Sequence, residues 1–328
     1  MILISYGTRP EYLKVKKLIN LLGPQSVRVV FVTQHQNIVF GEYDYKIEIQ
    51  DNNNRLDDII SSVLIDKQEN IFEDIKFSIV QGDTASALSI ALKSFHRKIP
   101  VIHLEAGLRT HDWENPYPEE IYRQIISRIS TYHLCPTENN KKNLLSESID
   151  GNNIFVVGNT VLDNIRNQDT KYGNKVLITL HRRENHNIIS EWFCAIEKIA
   201  KKYPDLEFIL PIHPNPNVKK HEHLLNTVKV TEPLEHEKLI STLAESRLVI
   251  TDSGGIQEEG SFLNKKMIVC RKITERPESV GIHSFLCSEP CYLENLFDSL
   301  YQNYQINEIC PFGNGYSCEK IINILKKL

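Results

Sequence analysis

Short apolar runs alternate along the chain with longer stretches in which apolar residues recur every three or four positions. The runs are typical of buried strands, and the longer spacing is typical of amphipathic helices. In the first part of the chain the predicted strands are residues 1–6, 27–33, 77–81, 101–104, 131–135 and 154–157. In the second part they are residues 176–180, 207–211, 228–231, 248–251 and 266–271. This alternation predicts an α/β protein with βαβ units and parallel sheets.

A polar segment divides the chain. Residues 171–174 follow a helix that is predicted to begin near Val161, and a second alternating set of strands and helices starts just after them. We therefore predict two Rossmann-like, doubly wound halves, and residues 318–328 are predicted to form a final helix because their apolar side chains have helical spacing. Two such halves hold a ligand in a cleft between them, at the carboxyl ends of the strands.

Residues 249–260 are predicted to form a strand that runs through a tight turn into a helix. The turn is Ser253-Gly254-Gly255, and Asp252 or Ser253 can cap the helix. The N–H groups of such a turn, with the positive end of the helix dipole, suit a phosphate group. Glu258 and Glu259, one helical turn further on, could accept hydrogen bonds from sugar hydroxyls. The alternative is an ordinary strand-to-helix turn.

Charged side chains gather where the predicted strands end, in both halves of the chain. Arg9 and Lys14 follow the first strand and could face one anion, although they also fit the start of an ordinary surface helix. A solvated surface would scatter such groups, so their positions favour an enzyme site in the cleft. The other segments at strand ends are Gly82-Asp83-Thr84, residues 105–110, residues 181–184 and residues 213–216.

Asp83, Glu105 and Glu119 are candidates for acid–base chemistry. The first two follow predicted strands, and Glu119 lies in a proline-containing loop whose shape suits closure over a ligand. Carboxylates grouped around one site raise one another's pKa and can serve as general acid and base. Each alone fits equally well as a helix cap or as an ion-pair partner of Arg109 or Arg123.

Histidines provide little support for a metal site. His181 and His213 each end a strand, where a lone histidine is more often a structural hydrogen-bonding group. His221 and His223 have the spacing of metal ligands, but they lie in a polar run that we expect to be exposed. We therefore expect no metal and no other cofactor.

Composition excludes several classes of protein. With 328 residues, of which 41% are hydrophobic, the chain is long enough for two domains with separate cores. A formal net charge of -4 gives no support for nucleic-acid binding, and seven scattered cysteines argue against a disulfide framework. The first residues form a strand pattern rather than a signal peptide, and no apolar run of about 18 residues occurs. We expect a soluble cytoplasmic protein without membrane contact.

Taken together, these motifs resemble one family over nearly the whole chain, the non-hydrolysing UDP-N-acetylglucosamine (UDP-GlcNAc) 2-epimerases. In the first half the matching motifs are Gly7-Thr8-Arg9-Pro10-Glu11 with Lys14, Gly82-Asp83-Thr84, residues 103–110, and Pro118-Glu119-Glu120 with Arg123. In the second half they are residues 157–161, 181–184, 213–217, 251–259 and 274–278. Phe312-Gly313-Asn314-Gly315 before the last helix also fits.

The resemblance implies a GT-B fold in which the last helix crosses back onto the first domain. The domains would then be residues 1–170 with 312–328, and residues 171–311. The implied reaction inverts C2 of UDP-GlcNAc by anti elimination of UDP to a 2-acetamidoglucal, followed by re-addition, giving UDP-N-acetylmannosamine (UDP-ManNAc) for surface polysaccharide. A homodimer through the first domain is also implied.

The resemblance further implies roles for individual residues. The acid–base candidates are Asp83, Glu105 and Glu119. The diphosphate or leaving group would be held by His181, Arg9 and Lys14. The remaining contacts to the UDP-sugar would come from Arg123, His213, Ser253, Gly254, Gly255, Glu259 (on the ribose) and Arg276 (on the charged middle of the substrate).

The chain departs from the family pattern in ways that leave alternatives open. Leu239 stands where an aromatic residue near the uracil is common, and Ser61-Ser62 replaces an arginine of allosteric members, so we expect weak or absent substrate activation. Gln34-His35-Gln36 keeps part of a family motif, and Tyr12 is a small sign of hydrolysing epimerases. A related UDP-acetamidosugar, a hydrolysing 2-epimerase and a GT-B glycosyltransferase are the alternative readings of the function.

Overall fold

The computed structural model describes residues 1–34, 41–50, 52 and 54–328, so His35 and Gln36 of the motif above lie outside the described residues. The chain divides into two compact units, Met1–Asn164 with Gly313–Leu328, and Ile165–Phe312. The helix expected near Val161 is only a 3-10 segment, Thr160–Asn164, which packs against the helix Arg9–Leu22. Both units are built from alternating strands and helices, as the sequence predicts.

In its described part, the first unit contains a parallel seven-stranded sheet in the order β3-β2-β1-β4-β5-β6-β7. The strands are β1 Ile2–Tyr6, β2 Val27–Val32, β3 Tyr45–Ile47, β4 Phe77–Gln81, β5 Val101–Leu104, β6 Tyr132–Cys135 and β7 Ile154–Val156. The helices are α1 Arg9–Leu22, α2 Arg55–Ile65, α3 Ala85–His96, α4 Glu119–Ile129 and α5 Glu138–Ser146. Successive residues of a strand face opposite sides, so Leu3 and Ile4 enter two separate cores, one on each face of the sheet.

The second unit repeats this plan with a parallel sheet, in its described part six-stranded, in the order β10-β9-β8-β11-β12-β13. The strands are β8 Lys175–Thr179, β9 Glu207–Pro211, β10 Lys229–Thr231, β11 Ser246–Thr251, β12 Met267–Val269 and β13 Ser284–Leu286. The helices are α6 Ile189–Lys202, α7 Pro216–Lys219, α8 His236–Glu245, α9 Gly254–Phe262 and α10 Leu293–Gln302. Trp192, Phe193 and Phe297 are fully buried in its core.

The final helix, α11 Ser317–Leu325, belongs to the first unit. Its first turn is held by Asp163, whose carboxylate accepts hydrogen bonds from the N–H groups of Ser317 (3.0 Å) and Cys318 (2.7 Å). Cys318 and Ile321 are buried in the same core as Val15 of α1. This helix therefore crosses back onto the first unit, as the family resemblance implies.

The strand order reverses between β1 and β4 in the first unit, and between β8 and β11 in the second. In open α/β sheets such a switch point leaves a crevice at the carboxyl ends of the strands, where ligands bind. The candidate residues at the ends of β1, β4, β8 and β11 therefore lie at the switch point of their own unit. Among the described residues, no helix is both long and apolar enough to cross a membrane.

Candidate active site

The segment after β1 is held together by Glu11. Thr8 and Glu11 form a capping box at the start of α1, and the Glu11 side chain is 4% exposed. Its Oε2 accepts hydrogen bonds from the N–H groups of Gly7 (2.8 Å) and Thr8 (2.6 Å), and its Oε1 accepts one from the Thr84 hydroxyl (2.6 Å). Burial raises the pKa of Glu11, although these hydrogen bonds oppose the shift. From the sequence, Glu11 is predicted only as part of the motif that follows the first strand.

Glu105 follows β5, and its carboxylate accepts hydrogen bonds from several side chains. Its backbone has φ = 67°, a left-handed conformation that costs free energy in a residue with a side chain. Both carboxylate oxygens accept hydrogen bonds from the Lys14 ammonium, at 2.5 and 2.6 Å. Gln81 and Asn159 donate from their amides, the latter at 3.5 Å. Lys14, which the sequence assigns to an anion shared with Arg9, thus lies on Glu105.

Asp83 follows β4 and is paired with Arg123 of α4. The Arg123 guanidinium lies 2.5 Å from Asp83 Oδ2 and 3.2 Å from Glu120 Oε2, and it is almost fully buried. A methyl group added to Gly82 would lie 3.6 Å from Glu105 Oε2, so the Asp83 turn and the Glu105 carboxylate are neighbours. Glu119 begins α4, one helical turn before Arg123. The first unit therefore gathers ion-paired carboxylates at the ends of adjacent strands.

His103 forms a hydrogen bond to the turn that contains Asp83. Its Nε2 lies 2.8 Å from the carbonyl oxygen of Gly82, and because a carbonyl can only accept, Nε2 carries the proton. Burial lowers the pKa of His103 to about 3, so the imidazole is neutral at physiological pH. Arg109 has a separate task, since it binds both oxygens of Glu147 at 2.7 and 2.9 Å. Of the pairings left open for Arg109 and Arg123, the structure therefore forms Arg123–Asp83.

In the second unit, Asp252 organises the loop after β8. It is fully buried, and its carboxylate accepts hydrogen bonds from the backbone of His181 (3.0 Å) and Arg182 (2.8 Å) and from the Asn185 amide (3.0 Å). The imidazole rings of His181 and His213 stack with centroids 5.2 Å apart. Burial lowers the pKa of both histidines, although the Asp252 carboxylate opposes the shift in each. Both are consequently neutral near pH 7.

The turn after β11 has the predicted shape, but the predicted cap is wrong. Ser253 is the N-cap residue of α9 and makes no side-chain capping bond, and Asp252 is engaged by the loop after β8 instead. The N–H groups of Gly254 and Gly255 lie in the first helical turn, where no carbonyl of the helix can accept from them. The Arg276 guanidinium packs directly against Gly254. Backbone donors and a guanidinium therefore meet at this turn, as an anion site requires.

Two glutamates of α9 have different surroundings. Glu258 is fully buried and accepts a hydrogen bond from Arg276 Nε at 2.6 Å, so it orients the arginine rather than meeting a sugar hydroxyl. Glu275 binds the same guanidinium at 2.5 Å. Glu259 lies 2.8 Å from Nε2 of His236, the first residue of α8. The sequence does not point to His236, because nothing in the residues around it indicates a pairing with Glu259, 23 residues later in the chain.

No group of three or more His, Cys, Asp or Glu side chains suited to a metal ion occurs among residues 1–34, 41–50, 52 and 54–328. His221 is partly buried and His223 is exposed, where its Nδ1 lies 3.0 Å from the carbonyl oxygen of Lys220.

Comparisons with a family model, with related sequences and with solved structures agree with one another. Residues 25–326 match the family model of the UDP-N-acetylglucosamine 2-epimerases. The UDP-N-acetylglucosamine 2-epimerase of Campylobacter jejuni is 36% identical, over 99% of this chain and 97% of the relative. A crystal structure of the Neisseria meningitidis enzyme bound to UDP-GlcNAc superimposes with a TM-score of 0.89 at 33% identity, covering 100% of both chains. The Methanocaldococcus jannaschii enzyme in complex with UDP-GlcNAc and UDP gives a TM-score of 0.84 at 30% identity, covering 100% of this chain and 99% of that one.

Proposed function

Because the chain belongs to the UDP-N-acetylglucosamine 2-epimerase family, we propose that it converts UDP-GlcNAc to UDP-ManNAc without net hydrolysis. The observation that carries this proposal is the pair of ion-paired carboxylates, Asp83 and Glu105, at neighbouring strand ends of the first unit. A proton must leave C2 on one face of the sugar and return on the other. Carboxylates at adjacent positions suit that exchange.

The proposed reaction begins as an anti elimination. A carboxylate takes the C2 proton, the C1–C2 double bond forms, and the C1–O bond breaks with its electrons leaving on UDP. Re-addition reverses these events, so the C1–O bond forms again and C2 receives a proton on the opposite face. We assign this acid–base work to Asp83, Glu105 and Glu119, without dividing the two faces among them. Substrate and product have the same atoms and the same oxidation state, so the proposed reaction needs no cofactor.

We assign the nucleotide to the second unit. Gly254 and Gly255 supply backbone N–H groups to a phosphate, and the Arg276 guanidinium, which Glu258 and Glu275 hold in place, lies at the same turn. Glu259, held by His236, would bind the ribose hydroxyls. The remaining contacts to UDP or the leaving group are assigned to Arg9, Lys14, Arg123, His181, His213 and Ser253. The relatives whose structures contain UDP-GlcNAc or UDP support this choice of ligand.

A hydrolysing 2-epimerase, which releases free ManNAc and UDP, is the main alternative. The sequence feature that suggests this alternative is Tyr12. In the structure the Tyr12 ring packs beside the core of the first unit, with its centroid 5.0 Å from that of the Tyr6 ring. Packing alone accounts for Tyr12, so this residue gives no support to the hydrolysing alternative. A glycosyltransferase would require an acceptor and would leave the C2 proton in place.

The decisive experiment is incubation of the enzyme with UDP-GlcNAc in deuterated water, followed by NMR and mass spectrometry. We expect deuterium at C2, formation of UDP-ManNAc, and UDP that remains attached to sugar. Asp83→Asn serves as the control and should exchange far more slowly. Stoichiometric free UDP and ManNAc would establish the hydrolysing reaction, and absence of exchange with every UDP-acetamidosugar would reject an epimerase.

Two further assignments accompany this function. We propose a homodimer formed through the first unit, which light scattering of the purified protein would test. We also propose that the product supplies ManNAc-type sugars for surface polysaccharide. Deletion of the gene would then remove such sugars from the cell surface, and unchanged sugar content would contradict this role.

A further inference from the structure

We infer that Glu11 and Thr84 are positioning residues, which hold the helix start carrying Arg9 and Lys14 against the turn carrying Asp83. The inference rests on the proposed function, because it concerns the placement of the residues that would act on the sugar and UDP. Neither Glu11 nor Thr84 is given a role in the proposed chemistry itself. They hold the segments that follow β1 and β4 in a defined relative position.

Glu11 uses both carboxylate oxygens, and each oxygen faces a different strand end. Oε2 accepts from the backbone N–H groups of Gly7 and Thr8, which follow β1. Oε1 accepts from the hydroxyl of Thr84, which follows β4, at 2.6 Å. Because β1 and β4 are adjacent in the sheet at its switch point, one side chain joins the segments that carry Lys14 and Asp83.

Thr84 makes the other half of the connection. Its backbone follows Asp83 directly, and its Oγ1 also accepts the N–H of Ala87 at 3.1 Å, which caps α3. Its hydroxyl proton is therefore available for Glu11. Ser86 lies 2.9 Å from the Thr84 hydroxyl, so the contact continues into α3.

Helix capping alone does not account for the buried carboxyl group of Glu11. Helix α5 begins with the same capping box, and there the side chain at the Glu11 position is the neutral amide of Asn140, paired with Thr137. A neutral side chain thus satisfies the box elsewhere in the same unit. Glu11 differs because its second carboxyl oxygen accepts a hydrogen bond from Thr84. Burial of a carboxyl group costs free energy, and this additional contact offsets part of that cost.

Such a connection matters for catalysis because reactivity is steeply sensitive to geometry. Displacement of a catalytic group by about 1 Å can lower a rate about 100-fold. Lys14 bonds Glu105, and Asp83 bonds Arg123, so a shift of either strand end moves an ion pair. We expect loss of the Glu11–Thr84 bond to lower kcat rather than substrate affinity.

The test compares Thr84→Val with Thr84→Ser. Valine has the shape of threonine without the hydroxyl, and serine restores the hydroxyl. We expect Thr84→Val to lower kcat for UDP-GlcNAc epimerisation at least about tenfold with KM changed less than about threefold, and Thr84→Ser to recover most of the loss. Thr137→Val is the matched control, since it removes the equivalent cap from α5, and it should lower Tm similarly while kcat stays near that of the wild type.

The outcomes separate the inference from the proposed function. A wild-type enzyme that does not epimerise any UDP-acetamidosugar rejects the function. An active wild type with unchanged kcat in Thr84→Val, or with an equal kcat loss in Thr137→Val, rejects the positioning role alone. If Thr84→Val does not fold, Thr84→Ala removes the hydroxyl without placing a methyl group beside the carboxylate and is judged by the same results.

Discussion

The ammonium of Lys14 contacts both oxygens of the Glu105 carboxylate, at 2.5 and 2.6 Å, in a pair that is largely buried. An ammonium that neutralises a carboxylate at this depth has less charge to offer a diphosphate. Within the proposed mechanism, this geometry gives Lys14 mainly the task of holding Glu105. The two tasks can be separated experimentally.

Lys14→Met should lower kcat roughly 100-fold, within the range that acid–base groups contribute, because it leaves Glu105 without its cation. The affinity for UDP, measured by calorimetry, should change much less. Lys16→Met is the control, since Lys16 lies on the same helix and is exposed. A loss of UDP affinity as large as the loss in kcat would instead place Lys14 on the diphosphate.

Gly254→Ala should weaken UDP binding far more than Gly255→Ala. A Cβ at Gly254 would collide with the Arg276 guanidinium, whereas the nearest atom to a Cβ at Gly255 is Ser253 Oγ, at 4.0 Å. Both variants keep their N–H groups, so the difference isolates the position of Arg276. We expect about a tenfold or greater difference in Kd for UDP. Equal Kd values would show that Arg276 does not contribute to nucleotide binding.

Ser253→Ala should weaken UDP binding only slightly, because the Ser253 side chain makes no capping bond and backbone N–H groups do most of the holding. Glu259→Ala should cost more, since it removes the proposed ribose contact together with the partner of His236. Fluorescence or calorimetric titration with UDP would measure both. Unchanged affinity in Glu259→Ala would contradict the assignment of Glu259.

Lys265 should make stability depend on pH. It is fully buried, and its ammonium donates to the carbonyl groups of Lys171 (2.7 Å) and Ser246 (2.9 Å). Burial lowers the pKa of Lys265 to about 7, compared with about 10.4 in an unfolded chain. Between these values the unfolded chain binds a proton that the folded protein does not, so the free energy of unfolding should rise with pH by up to about 1.4 kcal/mol per pH unit.

The corresponding test is urea unfolding at pH 7, 8 and 9, with the wild type and Lys265→Met. The variant should lose this pH-dependent increase, whatever its overall stability. Parallel pH profiles in the two proteins would show that Lys265 keeps its proton throughout.

Steady-state kinetics should be hyperbolic in UDP-GlcNAc. Ser61 and Ser62 stand where allosteric members of the family carry an arginine, and in this structure the Ser62 hydroxyl accepts a hydrogen bond from the N–H of Gln50. Initial rates over a wide substrate range would test this. Sigmoidal curves, or strong activation of the reverse reaction by added UDP-GlcNAc, would contradict it.

Local periodicity was sufficient to predict most of the fold. Strands such as β4, β5 and β9 begin and end at the predicted residues, because each is a short, mainly apolar segment between turns. The strands β3 and β13 were missed, since each has only three residues and depends on a neighbouring strand for its definition. The predicted strand 266–271 is shorter in the structure, where β12 covers Met267–Val269.

The candidate site was predictable as a set of positions but not as a set of contacts. Strand ends revealed Asp83 and Glu105, yet nothing local indicates that Lys14 would reach Glu105, 91 residues away in the chain. The Asp252 carboxylate looked like a helix cap and instead holds the loop after β8. Such pairings depend on the register of the sheet, which sequence periodicity does not define.

The position of Glu11 also has a consequence for where a nucleotide phosphate can bind. In a Rossmann-like unit the first strand-to-helix turn is the usual seat of a nucleotide phosphate. Here the N–H groups of Gly7 and Thr8 already donate to the side chain of Glu11, so an incoming phosphate would have to displace this buried side chain. These N–H groups are therefore closed to a phosphate as the structure stands, which agrees with our assignment of the phosphate-binding turn to the second unit.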